Sequence, residues 1–129
     1  MTGQNPDFTL IKAARIIDGN GGPAIERGAV LIEDNSIRQI GPEETVTPPE
    51  GGSVKEITYE TQSILPGLID SHVHLIGIGD GRAGDELTTL PDEVLTLQAA
   101  RNARAHLYSG VTTVRDCGAK NRTTLELRR

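Results

Sequence analysis

The sequence predicts an α/β fold in two parts, residues 1–63 and residues 64–129. Three observations support this prediction. Short β-type runs separated by Gly, Pro and Asn fill the first part, a near-continuous apolar run opens the second, and a segment with apolar residues spaced four apart follows it. The order strand, helix, strand, helix in the second part is the repeating unit of a parallel α/β fold.

The first part is expected to form a small antiparallel sheet. Its predicted strands are residues 8–13, 15–17, 28–33, 37–41 and 54–59. Asp34-Asn35-Ser36 separates two of these runs closely enough to predict a β-hairpin. The Gly- and Pro-rich segments 18–23 and 45–53 indicate a turn and a loop, because both residue types interrupt strands.

The second part opens with the apolar run 64–76, which suits a strand that is covered on both faces. A Gly-rich loop, residues 77–84, follows and is either a plain connection or a wall of a substrate pocket. A helix is then expected, with Pro91 in its first turn and Gly110 as its stop. Its apolar residues spaced by four are Leu95, Ala99, Ala103 and Leu107. Residues 111–115 predict a β-branched strand, and residues 121–129 predict the start of a second helix.

Composition excludes several classes of function. The formal net charge of -5 argues against a nucleic-acid-binding surface, which needs clustered Lys and Arg. No apolar run approaches the roughly 20 residues that cross a bilayer, and the first seven residues lack a signal-peptide pattern. A cytoplasmic protein without a membrane partner is therefore expected. Cys117 is the only cysteine, so any metal must be held by His and carboxylate side chains.

His72 and His74 have the spacing that most clearly indicates chemistry. Side chains alternate along a strand, so both point to one face with Cα atoms about 6.6 Å apart. Two imidazoles at that spacing can share one ion at about 2.0 to 2.1 Å. They end an apolar strand, which is where α/β barrels place active-site groups. Taken alone, however, a His-x-His pair on a strand occurs by chance more often than as a metal site. Asp70 lies on the same face and is expected to have a structural or supporting role.

The residues around this pair resemble a family signature. Ile64 to His74, ILPGLIDSHVH, resembles the Pro-Gly-x-Ile-Asp-x-His-x-His strand that opens the catalytic barrel of the amidohydrolase superfamily. Residues 8–59 are similar to the N-terminal strands that form a small β-sandwich beside that barrel. Residues 107–116 resemble the junction of helix 1 and strand 2 in the subgroup of imidazolonepropionases and Xaa-Pro dipeptidase-like enzymes.

The resemblance implies the N-terminal part of a metal-dependent hydrolase, a (β/α)8 TIM barrel preceded by strands of a small β-sandwich. It implies that His72 and His74 bind zinc, with one or two divalent ions in the complete enzyme. The activity it implies is hydrolysis of a C–N bond in an amide, lactam, urea-type or dipeptide substrate by a metal-bound hydroxide. The other ligands and the general base lie on later strands in this family, so no catalytic residue is assigned here.

Four other residues are weaker candidates for the functional site. His106 is expected near the end of the helix, solvated and away from the histidine pair. Arg115 and Asp116 end the second strand of the barrel part, where they either support the site or form a structural ion pair. Cys117 is expected to be a small packing residue, because no histidine lies near it in the sequence.

A complete barrel takes about 250 residues, whereas this sequence has runs for two of the eight strands. We therefore expect a fragment that is inactive alone, with the rest of the barrel on the same or a second polypeptide. A small-molecule substrate and a homo-oligomer are expected for the complete enzyme. The alternative is a non-catalytic, β-rich interaction module or inactive fragment in which the histidine pair is a relic.

Overall fold

The structure is a computed structural model, and it describes residues 7–81 and 89–129. The chain divides into two compact units between Pro66 and Gly67. The assignment of residues 1–63 and 64–129 to two domains stays a prediction. Residues 82–84 of the predicted Gly-rich loop lie outside the described ranges. No helix in the part that the structure describes is long and apolar enough to span a membrane.

The first unit contains a four-stranded sheet in the order β3–β2–β1–β4. Its strands are β1 (Asp7–Ile16), β2 (Ile25–Glu33), β3 (Ser36–Pro42) and β4 (Ser53–Ile64). β1 pairs with β2 and β2 pairs with β3 in antiparallel fashion, so the predicted hairpin is confirmed. Asp34 in its turn has a φ of 52°, a left-handed conformation that Asp tolerates better than most residues.

The prediction of a purely antiparallel sheet is wrong for β4, which pairs with β1 in parallel fashion. β3 and β4 are joined by residues 43–52, and this segment crosses the sheet so that β4 can run in the direction of β1. Val46 in the crossing segment is only 3% exposed. It belongs to a buried cluster formed with Phe8, Leu10, Ala29 and Leu31. β4 also continues five residues beyond the predicted end at Tyr59.

The second unit contains one β/α/β crossover followed by a short helix. Its elements are β5 (Leu68–Val73), α1 (Asp92–Tyr108), β6 (Val111–Asp116) and α2 (Thr123–Leu127). β5 and β6 are adjacent and parallel, which confirms the predicted pairing of these two segments. Pro91 lies just before the first residue of α1, at its N-cap position and not in the first turn, and Gly110, with a φ of 87°, follows its end.

α1 packs on β5 through part of the predicted apolar face. Leu95 and Ala99 are fully buried, in a cluster that includes the buried Val73 of β5. Ala103 is partly buried against this cluster, whereas Leu107 is 60% exposed. The reason is geometric, because each step of four residues overshoots a helical turn by about 40°, so Leu107 is rotated about 120° from Leu95.

Candidate metal centre

His72 and His74 lie side by side at the carboxyl end of β5. His72 is within the strand and His74 follows its last residue, Val73. Their ring centroids are 5.4 Å apart, with an angle of 66° between the ring planes. Both side chains are exposed, while Val73 between them is buried in the apolar cluster of this unit. The strand alternation thus brings two imidazoles together on one accessible surface.

His74 is held in one orientation by a backbone carbonyl. Its Nδ1 lies 3.0 Å from the carbonyl oxygen of Gly118, in the segment that follows β6. A carbonyl oxygen can only accept a hydrogen bond, so Nδ1 must carry the proton. In the neutral imidazole, the lone pair is then on Nε2. Histidines that bind metals typically donate their other N–H to such a partner.

The segment after β6 is itself fixed to the ends of both strands. The backbone N–H of Gly118 donates to Oδ1 of Asp116 at 3.0 Å. The N–H of Cys117 donates to the carbonyl of Val73 at 2.8 Å, which extends the pairing of β5 with β6. Oδ2 of Asp116 is buried and has no hydrogen-bond partner among the described residues. Asp116 therefore fixes the segment that contacts His74, and its carboxylate is not part of the exposed pair of imidazoles.

Asp70 has a comparable role one step before the pair. Its Oδ1 accepts a hydrogen bond from the backbone N–H of His72 at 3.0 Å. This contact fits the supporting role that the sequence suggested. Each aspartate accepts from the peptide N–H two residues later: Asp70 from His72 itself, and Asp116 from Gly118, whose carbonyl contacts the His74 ring.

The chain after His74 folds back onto α1. The side-chain amide of Asn102 donates to the carbonyl oxygens of Leu75 and Gly77, and that of Gln98 donates to the carbonyl of Ile76. A surface pocket of about 440 Å³ results, with His74, Asn102 and other residues of this segment on its wall.

His106 also lines this pocket, which corrects the expectation that it lies away from the histidine pair. No residue pattern indicated that the segment after His74 would reach the last turns of α1. His106 does not complete a metal site, because no group of three His, Cys, Asp or Glu side chains in the described ranges could hold an ion.

Two further candidates lie at the same end of β6. Cys117 is exposed rather than packed, so that expectation is wrong, and its Sγ is 3.7 Å from the carbonyl oxygens of Ser71 and Arg115. Arg115 is exposed. The sequence reasoning missed Gly118, because a backbone carbonyl has no side-chain signature, and it missed Asn102, whose amide is unremarkable in a helix.

Known proteins resemble this chain in both sequence and structure. The sequence profile of the amidohydrolase family matches residues 63–129. An imidazolonepropionase of Parabacteroides distasonis is 34% identical over 85 residues, which are 57% of this chain and 20% of that protein. The putative amidohydrolase YtcJ of Bacillus subtilis is 34% identical over 80 residues, 61% of this chain and 15% of that protein. The chain thus spans a fifth or less of these relatives.

Solved structures match nearly the whole chain. Molinate hydrolase superposes with a TM-score of 0.77 and 27% identity over 98% of this chain and 27% of its own. Phenylurea hydrolase B gives a TM-score of 0.75 and 26% identity over 94% of this chain and 27% of its own. A Xaa-Pro dipeptidase with bound methionine gives 0.70 and 25% over 94% and 29%. These matches confirm the predicted fold class, an α/β fragment that corresponds to the N-terminal, β-sandwich-containing part of amidohydrolases.

Proposed function

The chain belongs to the amidohydrolase family, and on that premise we propose that it contributes the first two metal ligands, His72 and His74, of an enzyme that hydrolyses a C–N bond. The hydrogen bond between Nδ1 of His74 and Gly118 is the observation that carries this proposal. It leaves Nε2 of an exposed imidazole as the nitrogen able to bind a metal, next to a second exposed imidazole.

The two imidazoles are suitable donors for zinc. Imidazole nitrogens are common zinc ligands, and the two rings are close enough to approach one ion from neighbouring directions. A zinc ion there would lower the pKa of water toward about 7 and polarise the carbonyl group of a substrate. His72 and His74 would hold the ion, and the contact with the Gly118 carbonyl keeps the His74 imidazole from turning away, while Asp70 fixes the backbone at His72.

Two histidines are fewer than a catalytic zinc site requires. Such sites normally have three protein ligands and one open position. In the family that this chain resembles, the other ligands and the general base lie on later strands, so we infer that they come from residues beyond this sequence. Those residues are on the same or a second polypeptide, and residues 1–129 alone are expected to be inactive.

The substrate class follows from the relatives only in outline. The similar proteins include an imidazolonepropionase, a phenylurea hydrolase and a Xaa-Pro dipeptidase, whose names cover a lactam-type ring, a urea and a dipeptide. We infer a small-molecule substrate with an amide, lactam, urea-type or dipeptide C–N bond. An assembly of identical subunits is part of the same proposal.

Metal content tests this proposal directly. In the full-length protein that contains residues 1–129, His72→Ala and His74→Ala should each lower bound zinc and C–N hydrolysis together, because each removes one ligand. Zinc per protein would be measured by inductively coupled plasma mass spectrometry after removal of loosely bound metal.

His106→Ala is the matched control, since His106 shares the pocket of His74 but lies on α1, outside the strand segment that carries the two proposed ligands. It should keep the wild-type zinc content. Zinc binding by the His72 and His74 variants equal to that of the wild type would contradict the proposal. A folded wild-type protein that takes up no divalent metal would instead favour the non-catalytic β-rich module.

A further inference from the structure

Two hydrogen bonds in series connect Asp116 to the ring of His74. Oδ1 of Asp116 accepts from the N–H of Gly118 at 3.0 Å, and the carbonyl of Gly118 accepts from Nδ1 of His74 at 3.0 Å. The N–H and the carbonyl belong to the two peptide groups on either side of the Gly118 Cα. Fixing the first peptide group therefore restricts where the second can point.

The middle residue of this connection, Gly118, has an intrinsically free backbone. A Gly backbone reaches more conformations than that of any other residue, so an unanchored Gly118 carbonyl would sample many directions. A Cβ on Gly118 would lie 3.4 Å from Cε1 and 3.5 Å from Nδ1 of His74, so the imidazole packs directly beside this backbone. The ring therefore depends on a residue whose backbone is intrinsically free, and that residue needs an anchor.

The neighbouring contacts do not replace that anchor. The bond from the Cys117 N–H to the Val73 carbonyl holds the preceding residue, and Lys120 Nζ, which donates to the Leu90 carbonyl at 2.8 Å, holds a residue two positions later. Between them, the Asp116 carboxylate is the contact made to the backbone N–H of Gly118.

We propose that Asp116 is a positioning residue for His74, which sets the tautomer and orientation of that metal ligand through the backbone of Gly118. The inference rests on the proposed function, because it takes His74 to be a ligand. When the anchor is lost, the Nδ1–H loses its fixed acceptor, and the tautomer that carries its proton on Nε2 gains population. That tautomer has no lone pair on Nε2, so metal binding weakens.

The test compares two variants in the full-length protein. Asp116→Ala removes the acceptor and should weaken zinc binding about 10- to 100-fold, the range found when partners behind metal-binding histidines are removed. Asp116→Asn keeps an oxygen that can accept from Gly118, so it should restore nearly the wild-type affinity. Both variants should lose thermal stability. Ala leaves the Gly118 N–H without its acceptor, and Asn places an amide where Oδ2 is buried with no partner among the described residues.

Two readouts distinguish positioning from a merely structural role. Zinc affinity would be measured by competition with a chelator, and the His74 tautomer by long-range proton–nitrogen NMR of the metal-free, ¹⁵N-histidine-labelled protein. The wild type and Asp116→Asn should show the proton on Nδ1, whereas Asp116→Ala should show a mixture. Asp18→Ala is the matched control, since Asp18 makes the same type of bond to the Asn20 N–H at 2.9 Å in the other unit.

Failure of this inference differs from failure of the proposed function. An Asp116→Ala protein with the wild-type tautomer and zinc affinity would overturn the positioning role while leaving the metal site intact. A wild-type protein without zinc affinity, or a His72→Ala protein that binds zinc like the wild type, would overturn the proposed function and this inference with it.

Discussion

The two units of the chain differ in how much of their apolar surface they bury. In the first unit, the sheet and its crossing segment enclose a cluster in which Leu31 is only 2% exposed. In the second unit, Leu68 and Ile69 of β5 remain 55% and 73% exposed, although the pair of histidines lies on the same strand. Parallel strands usually have both faces covered. The comparison shows that the start of β5, the strand that leads to the candidate metal centre, is left uncovered by the described residues.

The largest expected effects come from the two cores. Leu31→Ala and Leu95→Ala should each reduce the free energy of unfolding by about 2–5 kcal/mol, because both side chains are fully buried in their own units. Urea denaturation of each variant would measure the loss. Leu97→Ala is the control, since Leu97 is 73% exposed in the same helix as Leu95, and it should change stability by about 0.5 kcal/mol or less. Equal losses of stability for the Leu95 and Leu97 variants would contradict the placement of Leu95 in the core of the second unit.

A smaller effect is expected where the second unit is packed most tightly. A Cβ added to Gly67, just before β5, would lie 2.0 Å from Oγ1 and 2.7 Å from Cβ of Thr112 in β6. Gly67→Ala should therefore cost about 1–3 kcal/mol, because the strands must separate to admit it. Thermal unfolding would be compared with that of Gly22→Ala, whose Cβ would meet nothing within 4 Å. A Gly67 variant as stable as the Gly22 variant would contradict the close approach of the two strands.

The smallest effects concern pH, and they differ between the units. In the first unit, hydrogen bonding to Glu56 raises the pKa of Lys12 above 10.5, so its contribution is complete below 10.5 and is lost as pH rises through the folded value. In the second unit, the Asn121 side chain, followed by Lys120, lowers the pKa of Asp92 below 3.8. That contribution is present above 3.8 and is lost as pH falls through the folded value.

Urea midpoints measured across the pH range test this contrast. Asp92→Asn should flatten the loss of stability on the acid side, and Lys12→Met should flatten the loss on the alkaline side. Because both groups are solvent-accessible, the changes in midpoint should be small and should shrink in high salt. An acid profile unchanged by Asp92→Asn would show that its contacts to Lys120 and Asn121 contribute nothing in solution.

Sequence reasoning was most successful where the signal was local. The β2–β3 hairpin and the start and end of α1 follow from turn residues, Pro91 and Gly110, whose backbone preferences act within a few positions. The direction of β4 could not be predicted, since strand alternation is the same for parallel and antiparallel pairing. The direction of β4 depends on the path of residues 43–52 between β3 and β4. That path is set by the packing of Val46 in the core, a contact that exists only in the folded chain.

The candidate site was predictable to a similar degree. The spacing of His72 and His74 identified the two imidazoles, but the partner of His74 is a carbonyl 44 residues later, and main-chain atoms are the same in every residue. His106 shares the pocket of His74 because the side-chain amides of Gln98 and Asn102 hold the segment after His74 against α1. Such side-chain-to-backbone contacts depend on tertiary structure, so a pattern of residue types does not predict them.

β4 has one further consequence, which concerns self-association. Within the described residues it pairs with β1 alone and forms one border of its sheet, 12 residues long and mostly exposed. An unpaired strand border offers backbone donors and acceptors to other chains and is a known route to aggregation. Lys55, Glu56 and Glu60 place charges along this border, and charged side chains oppose pairing with a second copy. Neutralising them would favour intermolecular sheet formation, even though the core of the sheet would be unchanged.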